Sequence, residues 1–339
     1  MSYKPILGIL LGDASGIGPE LVAKLAVRDF YKEYCRPIII GDIRVFEEGL
    51  RTINKTVEHY PIDDVDQADW DKGFPVFDTH DQDPSRIVMK KMSPYCGAGV
   101  NKMIEVACRL CVEGKIEGFS FAPFHKAAMK EAGCKFESEH HLMANIFGVT
   151  RPFGEINMLE NVMTVRTTSH IPLKDVSSYL TVEKISRAIE LGYYTAKSLG
   201  LESPRVGVAA FNPHCGEEGR CGREEIDAIA PAVKWACDQG WNVTGPLSSD
   251  IVFMRAFKGE FDAVVTMYHD QGQIAMKLKG FDQGITVAGG MPYPIVTCAH
   301  GTAYGKAGEG RANTSAFENA VKMTARMAVA ARAKNSADK

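Results

Sequence analysis

The chain has 339 residues, of which 45% are hydrophobic and 24% are charged. This length and composition suit one large globular domain or two smaller ones, and they exclude a disordered chain and a collagen-like repeat. The 39 Lys and Arg residues nearly balance the 42 Asp and Glu residues, so the formal net charge is −3 and no basic surface for nucleic acid or membrane lipid is indicated. The expected partners are therefore small molecules and other copies of the chain.

The apolar runs and the cysteines bear on the cellular compartment. The apolar run Ile6–Leu11 ends in Gly12 and Asp13 and lacks the pattern of a secretory signal. No apolar run approaches the roughly 20 residues that cross a bilayer. The nine cysteines are odd in number and scattered, which is typical of a reducing compartment. We therefore expect a cytoplasmic protein in which Cys108 and Cys111 are buried free thiols rather than a redox or metal site.

The predicted elements alternate between buried strands and amphipathic helices. The segment Ile6–Leu11 predicts a strand, residues 12–18 predict a glycine-rich turn, and Pro19 lies in the first turn of a helix. A second buried strand is predicted at Pro37–Gly41. Further strands are predicted at residues 118–123, 156–168, 205–211 and 261–268, with a helix at 181–196 and loops at 55–98. This alternation predicts an α/β fold with a largely parallel sheet.

The glycine-rich turn allows three interpretations. Residues 12–20 follow a strand and open a helix, as a dinucleotide-binding turn does, but Leu21 occupies the position of the third glycine in G-x-G-x-x-G. The same small residues also suit an ordinary strand-to-helix turn. In the third interpretation Asp13, at the carboxyl end of the first strand, faces the crevice in which α/β enzymes bind ligands.

Three histidines each follow a predicted strand inside a polar, turn-prone segment, namely His170, His214 and His269. The carboxyl ends of strands are where α/β enzymes place catalytic and metal-binding side chains. Neutral imidazoles are common ligands of divalent zinc, cobalt and nickel, and three of them leave coordination positions open for substrate oxygens. A bound divalent ion stabilises the negative charge that develops on an alcohol oxygen as hydride leaves. The pattern predicts a metal site for alcohol oxidation, although a single histidine is more often a surface or core residue.

Charged side chains near these motifs are candidates for proton transfer or substrate binding. Lys126 follows a predicted strand, and Lys277 lies shortly after His269. Each can bind an anion, or can move a proton if its pKa is lowered, although an exposed surface lysine is the simpler alternative. Asp250 and Asp270 can orient a metal ligand or the substrate, whereas most aspartates at helix starts only cap the helix. The candidate catalytic residues are Lys126, Asp250 and Asp270.

Six short motifs stand out along the chain. They are Gly12–Glu20, His125–Lys126, Thr168–His170, Asn212–Glu217, Tyr268–Gly272 and His300–Ala303. In this order they resemble the motifs of the PdxA family of 4-hydroxythreonine-4-phosphate dehydrogenases. The resemblance extends from about residue 6 to about residue 330, and Asn-Pro-His followed by His-Asp-Gln-Gly makes it specific.

The resemblance implies an α/β fold of the isopropylmalate dehydrogenase type, with two α/β/α domains and a cleft between them. The first domain comprises residues 1–145 and 290–339, so that both chain ends belong to it. The second comprises residues 146–289 and carries the metal ligands and the dimer contacts.

The resemblance also implies a metal-dependent active site that two protomers of a homodimer share. The family's three metal histidines match His170, His214 and His269, of which the last comes from the partner protomer. One divalent ion per site, which can be zinc, cobalt, manganese, magnesium or nickel, is expected. The family's reaction transfers a hydride from a secondary alcohol to NAD and gives a β-keto acid that loses carbon dioxide. The ion stabilises the charge that develops in both steps.

The cofactor, by the same resemblance, binds a carboxyl-terminal loop rather than the glycine-rich turn. In this wider fold the loop wraps the adenosine half of the cofactor. The candidate cofactor-binding residues are His300, Gly301, Thr302, Ala303 and Asn313.

Departures from the family pattern concern the substrate. Glu139 and His140 stand where phosphate-using members carry a substrate-binding His-Thr pair, and Thr286 stands where they carry Asn. The arginine expected near residue 295 is absent, whereas Lys277 is kept. An added carboxylate and a lost arginine disfavour a phosphate group. Glu139, His140, Lys277 and Thr286 are therefore the candidate substrate-binding residues.

Several functions remain open on this basis. The first hypothesis is an NAD-dependent and metal-dependent dehydrogenase, like 4-hydroxythreonine-4-phosphate dehydrogenase, that oxidises a hydroxy acid with decarboxylation. The alternative is a cis-dihydrodiol carboxylate dehydrogenase of aromatic-acid catabolism, of the terephthalate dihydrodiol type, which residues 142–148 resemble. A non-catalytic metal-binding homologue predicts bound metal without NADH formation. An acyl-phosphate transferase predicts a rate that a chelator leaves unchanged.

Overall fold

The computed structural model describes residues 3–280 and 283–337. Within these residues, no helix combines the length and the apolar composition that a bilayer crossing requires.

The chain divides into two compact units. Unit 1 comprises residues 3–150 and 291–337 of the described chain, and unit 2 comprises residues 151–280 and 283–290. Both chain ends lie in unit 1, and the boundaries expected from the sequence lie a few residues away from the observed ones.

The first part of unit 1 alternates strands with helices. Pro19 lies in the first turn of the first helix, where its fixed φ angle suits the helix and its missing N–H is not needed. The elements are β1 (Ile6–Leu10), α1 (Gly18–Val27), α2 (Phe30–Tyr34), β2 (Arg36–Gly41), α3 (Ile43–Thr52), β3 (His59–Ile62), β4 (Phe74–Asp78), α4 (Pro94–Val112), β5 (Phe119–Phe121), α5 (Lys126–Glu131) and α6 (Glu139–Ile146).

Unit 2 follows, and the chain then returns to unit 1. Thr181 caps the long helix of unit 2, because its hydroxyl accepts a hydrogen bond from the amide of Lys184 at 3.2 Å. The elements of unit 2 are β6 (Gly154–Leu159), β7 (Val162–Arg166), α7 (Val176–Tyr179), α8 (Val182–Ser198), β8 (Arg205–Ala209), α9 (Ala230–Asp238), β9 (Asn242–Leu247), α10 (Ser249–Phe257), β10 (Ala263–Thr266), α11 (His269–Gly280) and β11 (Ile285–Gly289). The returning elements of unit 1 are β12 (Ile295–Cys298) and α12 (Ser315–Ala337).

The sheet of unit 1 is parallel throughout, with the strand order β3-β4-β2-β1-β5-β12. Leu7, Ile9, Ile38 and Ile39 on its central strands are fully buried. Continuous burial of this kind is typical of a parallel sheet that helices cover on both faces. The predicted α/β class with a largely parallel sheet is therefore confirmed for this unit.

The sheet of unit 2 is mixed, with the order β11-β6-β7-β10-β8-β9. Strands β7, β10, β8 and β9 run parallel, whereas β6 is antiparallel to both of its neighbours. A buried cluster that includes Leu159, Phe253, Phe261 and Met276 packs α10 and α11 against this sheet. The four parallel strands therefore end at the same edge of the sheet.

Two expectations about the strands are wrong. Residues 156–168 form a hairpin of β6 and β7 rather than one strand, because Glu160 adopts a left-handed φ of 53° and reverses the chain. Residues 55–98 are not only loops, since β3 and β4 lie within them and form the edge of the unit 1 sheet. Phe74 and Val76 of β4 are buried in that edge, which the polar residues around them concealed in the sequence.

Candidate active site

The carboxyl ends of β7 and β10 bring two predicted metal ligands together in unit 2. The two strands are paired in parallel, and the pairing continues beyond them. The amide and the hydroxyl of Thr168 both donate to the carbonyl of Met267, at 3.2 Å and 2.7 Å. His170 and His269 lie two residues beyond these positions, and their ring centroids are 5.7 Å apart.

Gln271 fixes the start of α11, the helix whose first residue is His269. Its side-chain oxygen accepts a hydrogen bond from the amide of Met267 at 2.7 Å. Its side-chain nitrogen donates to the carbonyl of Ala210 at 2.7 Å and to the hydroxyl of Ser249 at 2.9 Å. One amide group thus joins the ends of β10 and β8 to the start of α10. This role of Gln271 was not predicted from the sequence, because its partners come from distant segments.

The two candidate catalytic aspartates of unit 2 differ in their contacts. Asp270 Oδ1 lies 2.7 Å from His269 Nδ1, and the side chains are 71% and 34% exposed. A carboxylate at Nδ1 sets the tautomer and leaves Nε2 for a metal, so this contact indicates an orienting role for Asp270. Asp250 lies in the exposed first turn of α10 and accepts a hydrogen bond from the hydroxyl of Ser248 at 2.5 Å. This hydrogen bond lies at the start of α10 and is typical of an aspartate in the first turn of a helix.

The segment that carries His214 has an unusual backbone. Residues 214–218, which we call the left-handed turn, all have φ angles between 44° and 78°. Only Gly216 is suited to this region, and every other residue there costs roughly 1–2 kcal/mol. Such strain persists where the surroundings fix the backbone, and it is concentrated at functional sites. The turn itself was expected from the polar, turn-prone sequence, but its handedness was not.

The donor set fits a divalent transition-metal ion. Three imidazoles, one of them backed by a carboxylate, are the ligands that zinc, cobalt and nickel prefer. His170 and His214 are exposed and His269 is partly exposed, so an ion can reach all three. Among the described residues of a single chain, these three histidines do not place their ligand atoms within 4.8 Å of one another. A three-histidine site therefore needs a rearrangement or a second copy of the chain.

In unit 1, Lys126, Glu139 and His140 form a cluster. Lys126 Nζ lies 3.6 Å from Glu139 Oε2, and His140 Nδ1 lies 3.5 Å from Glu139 Oε1. Burial alone would raise the pKa of Glu139, but the hydrogen bond from His140 and the charges of His140 and Lys126 outweigh it and lower that pKa. The structure thus joins one candidate catalytic residue to two candidate substrate-binding residues. Within unit 1, Lys126 and His140 offset the charge of Glu139.

Asp13 is fully buried and links the glycine-rich turn to the loop between β12 and α12. Its Oδ1 atom accepts hydrogen bonds from the amide and hydroxyl of Ser15, and its Oδ2 atom accepts one from the hydroxyl of Tyr304 at 2.9 Å. Burial is the main cause that raises the pKa of Tyr304 to about 12, so this hydroxyl stays a donor. The interpretation that Asp13 faces a ligand crevice is wrong, because its carboxylate is enclosed by these partners.

The candidate cofactor residues at the start of this loop are held against α1. The carbonyl of Thr302 accepts a hydrogen bond from the amide of Ile17 at 3.1 Å, and the Thr302 side chain is buried. Ala303 has a left-handed φ of 45°. Gly301 is exposed and His300 is partly exposed, and His300 Nδ1 lies 3.1 Å from the Gly301 carbonyl. The glycine-rich turn and the candidate cofactor loop are thus neighbours in unit 1.

The end of the loop is held by a second set of contacts. Glu20 accepts a hydrogen bond from the amide of Ala312 at 2.7 Å, and Lys24 donates to the carbonyl of the same residue at 2.7 Å. Asn313 Oδ1 accepts hydrogen bonds from the amide and hydroxyl of Ser315 and so stabilises the start of α12. The one candidate cofactor residue at this end therefore has a helix-capping contact.

A cavity of about 300 Å³ lies beside the loop in unit 1. Its walls come from the glycine-rich turn, α1, α3, the segment before α4 and the loop itself. The lining residues are Ala14, Gly16, Pro19, Glu20, Val45, Glu48, Gly49, Thr52, Pro84, Ile87, Met89 and Gly308.

The other candidate substrate residues lie in unit 2. Lys277 is exposed on α11, and Thr286 is buried on β11. The Thr286 hydroxyl accepts a hydrogen bond from Asn157 Nδ2 at 3.1 Å, and Gln273 donates to the side-chain oxygen of the same asparagine. The hydroxyl that replaces the family's asparagine is thus part of an ordered polar row.

Two α/β units with chemically reactive side chains at strand ends define an α/β enzyme, and a comparison with known families gives its type. The sequence profile of the family described as pyridoxal phosphate biosynthetic protein PdxA matches residues 33–324, so the chain belongs to this family of dehydrogenases. The resemblance stated from the motifs is confirmed.

Individual relatives agree with this assignment. The chain is 34% identical over 332 residues to a D-threonate 4-phosphate dehydrogenase of Cupriavidus necator, a match that covers 96% of this chain and 98% of the relative. The crystal structure of a 4-hydroxythreonine-4-phosphate dehydrogenase from Burkholderia phymatum superposes with a TM-score of 0.83 at 33% identity and covers 96% of this chain and 99% of that one. These likenesses confirm the predicted fold class.

The dihydrodiol alternative has weaker support. The structure of a terephthalate 1,2-cis-dihydrodiol dehydrogenase from Burkholderia xenovorans LB400 matches with a TM-score of 0.66 at 22% identity, covering 95% of this chain and 98% of that one. At this identity the likeness shows a shared fold and nothing about the substrate.

Proposed function

We propose that the protein is an NAD-dependent, metal-assisted dehydrogenase that oxidises a secondary alcohol of a phosphorylated hydroxy acid and promotes loss of carbon dioxide. The observation that carries the proposal is the placement of two imidazoles, His170 and His269, at the adjacent ends of β7 and β10, with Asp270 on the imidazole of His269. This placement can supply ligands within one chain or across a dimer. A strand-end imidazole pair with an orienting carboxylate suits a catalytic divalent ion.

Each residue of the proposed metal site has a separate task. His170, His214 and His269 would hold the ion, and Asp270 keeps the His269 ring in the tautomer that a ligand needs. When bound, a divalent ion supplies Lewis-acid stabilisation of negative charge on the substrate oxygens. Lys126 is the proposed proton carrier at Nζ, and the carboxylate of Glu139 3.6 Å away holds it.

The choice of a phosphorylated substrate rests on two grounds. Relatives that match nearly the whole chain are named for phosphorylated substrates, D-threonate 4-phosphate and 4-hydroxythreonine 4-phosphate. The structure also weakens the objection drawn from the sequence, because His140 and Lys126 offset the carboxylate of Glu139. Lys277 remains as an exposed cation for the anionic end of the substrate.

The loop of residues 300–313 and the adjoining cavity are the proposed binding place of the adenosine half of NAD. The loop is hydrogen-bonded to Ile17, just before α1, and to Glu20 within α1, and these contacts preorganise it for a cofactor. Preorganisation of this kind reduces the entropy that binding must overcome. The cavity of about 300 Å³ is at the lower end of the size range of small-molecule sites, which suits part of a dinucleotide.

The functional form is proposed to be a homodimer in which α10 and α11 meet a second copy. Four large apolar side chains on these helices are exposed, the most exposed being Leu278 at 83%. They are Ile251, Met254, Ile274 and Leu278. A second copy is the proposed occupant, because α11 begins at His269 and the single chain does not complete the three-histidine site. Apolar patches of this kind are typical of interfaces.

The proposal is tested by removing the metal and varying the substrate. Chelator-treated protein should form no NADH from D-threonate 4-phosphate or 4-hydroxythreonine 4-phosphate, and zinc, cobalt, manganese or magnesium should restore the reaction. His170→Ala should lower activity about 100-fold or more. His80→Asn, at an exposed histidine of unit 1, is the matched control and should have no effect.

Three results would contradict the proposal in different ways. Turnover of a cis-dihydrodiol carboxylate but of neither phosphorylated acid would favour the alternative substrate. Tight metal binding without NADH formation on any hydroxy acid would indicate a non-catalytic homologue. A rate that the chelator leaves unchanged would exclude the metal-assisted mechanism.

A further inference from the structure

Glu225 is a buried carboxylate that contacts the segment leading into the left-handed turn. Its side chain is almost fully buried, and Glu225 begins a short wide helical turn before α9. Its Oε1 atom accepts hydrogen bonds from the amides of Phe211 and Asn212, at 2.8 Å and 2.7 Å, and its Oε2 atom accepts one from Asn212 Nδ2 at 2.9 Å. Among the described residues, every hydrogen bond to this carboxylate comes from the two residues that precede Pro213 and His214.

The same carboxylate also limits the space inside the turn. A Cβ atom added to Gly216, the middle residue of the turn, would lie 2.7 Å from Glu225 Oε2. A Cβ atom added to Gly222 would lie 2.4 Å from Asn212 Nδ2. Glu224 adds a second carboxylate, which accepts a hydrogen bond from the other side of Asn212 Nδ2 at 2.7 Å. Gly216 within the turn and Gly222 beyond it are thus packed against Glu225 and Asn212.

We infer that Glu225 is a positioning residue that holds the left-handed turn and so presents His214 to the metal. This inference rests on the proposed function for the role of His214, although the contacts that carry it are independent of any metal. Hydrogen bonds from backbone amides to a buried carboxylate are stronger than those between neutral groups. They fix the entry to a stretch whose residues would otherwise return to the right-handed region. Without the carboxylate, His214 would sample several orientations.

The role is distinct from general support of the fold. The partners of Glu225 lie in the loop after β8 rather than in the strands of the sheet. Its loss should therefore loosen one loop and leave the core of unit 2 in place. Asp227 provides a matched control, because it lies two residues further on, is exposed, and is paired only with Arg223 among the ion pairs of the described residues.

The experiment compares Glu225→Gln, Asp227→Asn and the unchanged protein, with His214→Ala as a reference. Two properties are measured on metal-free protein whose folding has been checked by thermal unfolding. The first is the rate constant at which a thiol reagent labels the thiolate of Cys215, the residue after His214, obtained from labelling at several pH values and followed by peptide mass spectrometry. The pH series is needed because burial and the charge of Glu225 raise the pKa of Cys215. The second is the dissociation constant of cobalt, measured by competition with a chelator.

The expected results separate the inference from the function on which it rests. Glu225→Gln should label several times faster at Cys215 and bind cobalt about 10- to 100-fold more weakly. Asp227→Asn should match the unchanged protein in both. If Glu225→Gln also matches the unchanged protein in both Cys215 labelling and cobalt affinity, the inference is overturned. If His214→Ala binds cobalt as tightly as the unchanged protein, the proposed metal site fails instead, and Cys215 labelling still decides whether Glu225 holds the turn.

A second variant covers the case in which Glu225→Gln does not fold. Asn212→Ala removes the side-chain links to Glu224 and Glu225 and keeps the two amide hydrogen bonds. It should move both readouts in the same direction by a smaller factor. No change in either readout would count against the inference.

Discussion

Three buried carboxylates, those of Glu20, Glu139 and Glu225, each face a specific set of donors. Glu20 pairs with Lys24 at 2.8 Å and accepts a backbone amide, Glu139 is flanked by Lys126 and a histidine, and Glu225 accepts three N–H groups from one loop. A carboxylate moved out of water without such partners would cost several kcal/mol. Each of the three therefore constrains a neighbouring loop or helix, because the partners must stay where the charge is.

The charge of Glu139 should make part of the stability depend on pH. The folded-state pKa of Glu139 is lowered, so the ionised carboxylate stabilises the fold above its unfolded value of about 4.3, and this contribution is lost as pH falls through the folded-state pKa. Near neutral pH, Glu139→Gln should reduce the free energy of unfolding by about 1–3 kcal/mol. The difference from the unchanged protein should shrink in acid, as measured by denaturant unfolding at several pH values.

A surface carboxylate provides the control for this prediction. Glu113→Gln removes an exposed charge from unit 1 and should change stability little at any pH. A Glu139→Gln difference that stays constant down to acid pH would show that the ionised state of Glu139 contributes nothing.

Burial should also divide the cysteines into reactive and unreactive groups. Burial is the largest cause that raises the pKa values of Cys35, Cys108 and Cys298 to about 12, whereas Cys221 and Cys237 are exposed. Because the thiolate is the nucleophile, a maleimide at about pH 8 should label the exposed pair in the native protein and leave the buried three unmodified. Labelling in denaturant is the control, in which every cysteine should react. Native labelling of Cys108 at the rate of Cys221 would contradict the prediction.

At the scale of elements, close backbone approach decides how the helices of unit 1 pack. Gly49 lies on α3 where that helix meets α1, and a Cβ atom there would be 2.3 Å from the carbonyl oxygen of Pro19. Gly18, at the start of α1, is equally close to the end of β1, since its Cβ would lie 2.2 Å from the carbonyl of Leu11. Both glycines set the position of α1, against which the candidate cofactor loop is held.

Gly49→Ala should therefore destabilise the protein even though alanine favours helices. The gain in helix propensity is at most about 1 kcal/mol, whereas the backbone shift needed to relieve the contact with Pro19 costs about 1–3 kcal/mol. We expect a fall of a few degrees in Tm, measured by calorimetry. Gly305→Ala is the matched control, because no heavy atom lies within 4 Å of the added Cβ and its φ is not left-handed. Equal Tm values for the two variants would contradict the packing argument.

At the scale of the whole molecule, the predicted sites are distributed over two units. Unit 2 carries His170, His214 and His269, and unit 1 carries the candidate cofactor loop and the Lys126 cluster. Two arrangements of the metal site compete. In one, His170 and His269 of the same chain bind one ion. In the other, which the family resemblance implies, His269 reaches the site of the other protomer. The two arrangements predict different behaviour in mixed dimers.

Mixing inactive variants distinguishes a shared site from a site within one chain. If His269 acts across the interface, dimers formed from His170→Ala and His269→Ala chains contain one intact site. Half of randomly assorted dimers are mixed, so activity should recover to about a quarter of the unchanged protein. A mixture of His170→Ala with His214→Ala is the control and should stay inactive. If the first mixture also stays inactive, the shared site is excluded.

Local patterns in the sequence predicted half of the parallel strands and the long helix of unit 2. The runs that became β1, β2, β5, β8 and β10 are short, apolar and bounded by turn residues, so their structure depends on little beyond their own composition. Thr181 and the amphipathic residues after it likewise specify α8. The histidines and the family motifs were equally visible, because each motif is a short local segment.

Only the tertiary structure decided what depends on contacts between distant segments. It enclosed Asp13 with Ser15 and Tyr304, placed Lys126 beside Glu139, and gave residues 214–218 their left-handed backbone. These outcomes follow from burial and from the need to pair every buried polar group, and both depend on neighbours that lie far apart in the chain. The sequence by itself therefore determined the elements and the residue types of the site, and packing determined which charges meet.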